Sequence, residues 1–109
     1  MTFSVLVDGD AQRDIEEIVA WLDVNAPDQS DRFLGDLDAA LASIADHAML
    51  RPEVLQGARR ESLRIFSYHL WYLVLPEIEH AEVFAVLHHR RGPDALASRL
   101  CASRASAPA

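Results

Sequence analysis

The sequence predicts an α+β domain: an N-terminal strand, then an α-helical hairpin packed on a three- to four-stranded antiparallel sheet, in the order β-α-α-β-β-β. Three observations carry the prediction. Two segments with apolar residues three and four apart follow one another, separated only by Asn25-Ala26 and a proline, which makes an antiparallel helix pair. Three β-type runs come next with short links, the signature of an antiparallel meander. The chain has 109 residues, enough for one core and too few for two.

The opening strand has Phe3, Val5 and Val7 alternating with Ser4 and Leu6, and Asp8-Gly9-Asp10 closes it as a turn. Asp10 is placed as the N-cap of a helix over 11–25, with Asp14, Glu16 and Glu17 near its positive end. Ile15, Ile18, Val19 and Leu22 form its apolar stripe. Pro27 opens the second helix, which runs to about His47 on a stripe of Leu34, Leu37, Leu41, Ile44 and Ala48, with Phe33 beside it. An irregular link over 49–57 holds Pro52. Residues 59–66 read as a strand, with Leu63 and Ile65 on one side and Arg60, Arg64 and Phe66 among the other positions. The run 68–75 is apolar on both faces; a polar loop over 76–80 leads to a last strand over 82–88. There Val83, Ala85 and Leu87 alternate with Phe84 and Val86. The domain is placed at 1–96, and the small-residue stretch 97–109 is expected to be a flexible tail that begins as a helical turn through Leu96 and Leu100.

Half the residues are apolar and a quarter charged, as in ordinary globular proteins. No apolar run approaches the roughly 18 residues of a membrane span. Met1-Thr2-Phe3-Ser4-Val5 carries no basic leader, and the single cysteine, Cys101, suits a reducing compartment, so the cytoplasm is expected. All basic residues are arginine. Residues 1–57 carry −9 and residues 58–109 carry +2, which together give the net −7. An acidic first half repels phosphate, so any surface for a nucleic acid or a comparable target belongs to the second half.

Both helices precede the meander and are expected on one face of the sheet. Strands apolar on both sides then leave a second face to be covered, by the tail and hairpin loops or by a partner.

Several segments, in order, resemble the RelE/ParE superfamily of toxins from bacterial type II toxin–antitoxin systems, and the ParE-like branch most. Ala11-x-x-Asp14-Ile15-x-x-Ile18 is similar to its opening pattern, and Pro27 followed by Arg32-Phe33-Leu34 and Leu37 to its second helix. His47-x-x-Leu50-x-Pro52 resembles its loop, with Ala48 where a proline usually stands. Arg60 and Tyr68-His69-Leu70-Trp71-Tyr72 resemble its arginine and Tyr-Arg-apolar-apolar-Tyr strand, and Val86-Leu87-His88-His89-Arg90-Arg91 its closing segment. The resemblance covers about residues 5–96. It implies growth arrest by a cytoplasmic toxin bound, as a hetero-oligomer, to a small antitoxin from the adjacent gene.

The superfamily divides by chemistry. ParE-like members inhibit DNA gyrase, whereas RelE-like members cleave messenger RNA on the ribosome with basic and aromatic side chains. The chain has no lysine, His69 stands where the strand's arginine is usual, and Gly92-Pro93-Asp94-Ala95-Leu96 lacks the tyrosine of the cleaving members. A gyrase inhibitor is therefore expected, with Arg60, Arg64, Arg90 and Arg91 meeting the target. The ribonuclease alternative would rest on His69, His88 and Arg90, and a decayed toxin that only binds its antitoxin is a third reading. Antitoxin contact is expected at Trp71, Leu73, Phe84 and Val86. His88 and His89 point to opposite faces of a strand, and no Cys/His cluster has ligand spacing, so neither metal nor cofactor is expected.

Overall fold

In the computed structural model, which describes residues 2–106, Asp8 rather than Asp10 caps the first helix. The Asp8 carboxylate accepts the Ala11 N–H at 2.9 Å, so α1 runs Gly9–Asn25 and Asp10 falls in its first turn. β1 (Ser4–Val7) precedes it. A 3-10 turn, Pro27–Gln29, leads into α2 (Ser30–His47). Phe33 is fully buried on α2 while Leu34 is partly exposed, so the core stripe is Phe33, Leu37, Ala40, Ile44 and Ala48, one position away from the expected start.

Five strands form one sheet in the order β1-β5-β4-β3-β2. Here β2 is Glu53–Leu55, β3 Ala58–Ser62, β4 Tyr68–Leu75 and β5 His80–His88. The last four form the antiparallel meander. β1 joins the side of β5 in parallel, Ser4 opposite His80 and Val7 opposite Val83. The helical hairpin carries the chain from β1 at one edge of the sheet to β2 at the other, and the meander returns it to β5 beside β1. β2 lies inside the expected irregular link; three residues are too few to show an alternation.

The expected strand over 59–66 stops at Ser62 because a helix side chain claims the next backbone groups. Asp36 on α2, 6% exposed, accepts the N–H groups of Arg64, Ile65 and Phe66 at 3.1, 2.9 and 3.0 Å. Those donors turn toward one carboxylate and leave the ladder, so 64–67 is a bend.

A β-bulge decides which face each β5 residue serves. Trp71 pairs with Ala85 but Tyr72 with Val83, so Phe84 is the extra residue. Ala81, Val83 and Val86 consequently point into the main core, against Leu70, Tyr72 and the hairpin, while Phe84, Ala85 and Leu87 point to the other face. Strict alternation over 82–88 fails at this one residue.

That other face is covered by a third helix, α3 (Pro93–Ser106), where the sequence reading places the end of the domain and a flexible tail. Leu96 and Leu100, the latter 1% exposed, pack with Ala58, Trp71, Phe84, Ala85 and Leu87 in a second core. The folded unit thus passes residue 96; of the expected tail, 107–109 lie outside the described residues. Among the described residues, no helix is long and apolar enough to cross a membrane.

Candidate functional site

At the end of the meander, register places Arg60 opposite Trp71, Ser62 opposite His69 and His69 opposite Leu87. Directly opposed residues share a face, here the one away from the hairpin. Ser62 Oγ and His69 Nδ1 are hydrogen-bonded at 2.9 Å. His69 stacks on His89 with ring centroids 3.9 Å apart and planes 20° from parallel. Trp71 meets the His69 ring at 5.9 Å, edge to face, and the Arg60 guanidinium carbon lies 5.8 Å from the Trp71 centroid. Three backbone segments thus bring a hydroxyl, two imidazoles and a guanidinium together beside an indole.

The chain's acids stay away from this group. Among the described residues, the ion pairs are Arg51–Glu61, Arg59–Glu53 and Arg99–Asp14, and none involves Arg60, Arg64, Arg90 or Arg91. Burial lowers the His69 pKa to about 4, with further lowering by His89, Arg60 and His88. His69 is therefore neutral at pH 7. In either tautomer its Nδ1 is engaged by Ser62, and an imidazole that titrates near 4 is uncharged rather than an imidazolium acid at neutral pH.

Of the residues expected to serve a ribonuclease, His69 and His88 point to different sides of the sheet. His69 lies on the outer face with His89. His88 lies against Tyr68 at 5.3 Å and lines a groove on the hairpin side with Ile18, Trp21 and Leu22. At the end of the sheet they nevertheless come near one another, since the His88 ring lies 6.2 Å from that of His89, which stacks on His69. Arg90 follows β5 in an exposed turn, where its backbone N–H donates to His88 Nδ1 at 3.1 Å.

The four arginines expected to meet a target also divide. Arg60 stands on the outer face, and Arg90 and Arg91 are exposed in the turn after β5. Arg64 lines a cleft beside α2 with Asp36, Ala39 and Ser43. Of the residues expected to meet an antitoxin, Trp71, Leu73 and Phe84 share the face under α3. Val86 is 3% exposed beneath the hairpin, on the opposite face, because of the bulge.

Three positions with marked side-chain contacts carry no legible signal in the sequence. Ser62 pairs with His69 only once the β3–β4 register is fixed. Asp36 reads as a surface acid of α2, yet it holds the bend that follows Ser62. Arg99 lies in the expected tail, yet it forms a two-pronged pair with Asp14 at 3.0 and 2.9 Å.

Residues 5–93 match the family described as the ParE toxin of the type II toxin–antitoxin system parDE. No curated protein matches. Among solved structures, the fold is similar to that of a chromosomal ParDE toxin–antitoxin system from P. aeruginosa, with a TM-score of 0.69 at 15% identity over 80% of this chain and 96% of that one. It is also similar to the toxin–antitoxin complex RelBE2 from Mycobacterium tuberculosis, with a TM-score of 0.60 at 17% identity over 81% of this chain and 99% of that one.

Proposed function

The chain belongs to the ParE toxin family of type II toxin–antitoxin systems, and from that membership we propose that it arrests growth in the cytoplasm by inhibiting DNA gyrase, and that a cognate antitoxin neutralises it. The observation that carries this reading is the family match across residues 5–93, nearly the whole of the hairpin and sheet. The geometry supports it against cleavage. A ribonuclease needs a base and an acid on one side of the scissile phosphate; here His69 and His88 point to different sides of the sheet, and His69, uncharged at pH 7, is poorly suited to be the acid.

Arg60, Arg90 and Arg91 are the target contacts in this reading, exposed cations with no ion pair among the described residues, at the end of an otherwise acidic protein. Arg64 is left out, since it lines the cleft beside α2. The ribonuclease reading keeps one observation in its favour, the Ser62–His69–His89 group beside Arg60.

Induction of the chain alone in a bacterial host carrying a DNA-damage reporter separates the readings. Gyrase poisoning gives arrest with the reporter on. Arrest with a silent reporter and cut messenger RNA would favour the ribonuclease, and no arrest would leave a binding-only protein.

A further inference from the structure

α1 meets the core through Ile15, Ile18, Val19 and Leu22, but the largest side chain of the helix does not join them. Trp21 is 63% exposed, and Val24, one turn on, is 82% exposed. Facing Trp21, Ile65 in the bend held by Asp36 is 57% exposed. Between these two walls lies an open groove of about 540 Å³, with Ile18 and Leu22 on the helix side and Phe66 and Tyr68 on the other. That is room for a bulky side chain to enter. Three large apolar side chains left in water around one groove make a patch of the kind that meets another protein, and tryptophan is a common anchor there.

The charges flanking the groove divide by wall. On the helix wall Glu17 is exposed one turn before Trp21; on the sheet wall Arg90 and Arg91 are exposed in the turn that follows His88. None of the three has an ion pair among the described residues. A patch with an apolar centre, an acid on one flank and arginines on the other is complementary to itself after a half-turn. Centre then meets centre, and each flank meets its opposite, which is the requirement of a two-fold interface.

We propose that the groove between α1 and the 64–67 bend is the seat of a second copy of this chain: each protomer lays Trp21 into the other's groove beside Ile65, and its Glu17 faces the partner's Arg90 and Arg91. The pairing does not depend on the toxin reading, but its consequence does. The paired form withholds Arg90 and Arg91 from the target and leaves Arg60, on the outer face, open.

Sedimentation equilibrium of the full chain alone, made by cell-free synthesis, tests the pairing. A monomer–dimer equilibrium is expected. Tryptophan emission should move to the blue as concentration rises, because Trp21 leaves water while Trp71 is buried throughout. Trp21→Ala and Ile65→Glu should each raise the dimer dissociation constant about thirtyfold or more. Glu17→Arg alone and Arg90→Glu/Arg91→Glu alone should each weaken pairing by setting like charges against one another. The chain carrying all three reversals should pair again, since its exchanged flanks still match. A chain that stays monomeric at the highest soluble concentration overturns the proposal, and so does an assembly that grows beyond two copies. A dimer indifferent to both Trp21→Ala and Ile65→Glu, or a triple reversal no better than its parents, overturns this interface. A monomer whose Trp21 is shielded from acrylamide only when the small protein encoded beside it is added gives the groove to that protein instead.

Discussion

Replacing Asp36 by alanine removes the acceptor of three backbone donors at once. The Arg64, Ile65 and Phe66 N–H groups all bond to this one carboxylate, at 3.1, 2.9 and 3.0 Å. A buried donor left without a partner costs about 1–3 kcal/mol. The cleft lined by Ala39, Ser43 and Arg64 lets water reach the vacated site, so the lower end applies to each donor. Asp36→Ala should therefore lose about 3 kcal/mol, a large part of the roughly 5–15 kcal/mol that holds a domain of this size. At about 4–8 °C per kcal/mol, the melting midpoint falls by roughly 12–24 °C. Urea titration followed by tryptophan fluorescence reads the loss, with the slope unchanged if unfolding remains two-state. Asp36→Asn should fall between the two, since one carbonyl oxygen still accepts. Amide exchange at Arg64, Ile65 and Phe66 should accelerate in Asp36→Ala beyond the global change. A loss below about 1 kcal/mol with unchanged exchange at those amides would refute the reasoning, because water would then replace the carboxylate at no net cost.

Acid should weaken the fold through His69. Its pKa is about 4 in the folded chain against 6.5 unfolded, so the unfolded state takes the proton first as pH falls. The contribution is complete above pH 6.5 and is lost toward pH 4; the ring is partly wetted, which reduces it to about 1–2 kcal/mol. His69→Gln should flatten that part of the urea stability–pH curve, and an unchanged slope would count against the assignment. Tyr72 behaves in the opposite direction. Burial, aided by Glu61, pushes its pKa up to about 12 from 10.0, so stability falls as pH rises above 10, and Tyr72→Phe should remove that alkaline loss. The same variant strands the Ala48 carbonyl, bonded at 2.9 Å, and should cost about 1 kcal/mol at pH 7 in denaturant titration. Arg60→Ala and the double variant Arg90→Ala/Arg91→Ala should leave stability within about 0.5 kcal/mol, since these side chains hold no ion pair. Each should weaken gyrase inhibition several-fold; full potency in both would remove the arginines from the target surface.

The fold was legible where periodicity speaks and illegible where single side chains act at a distance. The helical hairpin and strand β4 lie where apolar spacing puts them, because both are long enough for a period to repeat. The family resemblance rests on the same ordered segments. The end of β3 could not be read, since it depends on an aspartate 28 residues earlier in the chain. The β5 bulge was equally hidden: one extra residue, Phe84, shifts Val86 under the hairpin, and nothing in an apolar run marks it. α3 hid for a different reason. Its composition is that of a tail, and among its described side chains Leu96, Arg99 and Leu100 give it a place. At the site, the Arg60–Trp71 and Ser62–His69 pairs follow from register, which the sequence leaves open.

Action on DNA gyrase is tested by adding the purified chain to gyrase, relaxed plasmid and ATP. Supercoiling should be lost, with accumulation of cleaved plasmid, and the co-purified antitoxin should reverse both effects. Undisturbed supercoiling at excess protein, with cleavage of ribosome-bound messenger RNA by the same preparation, would contradict it.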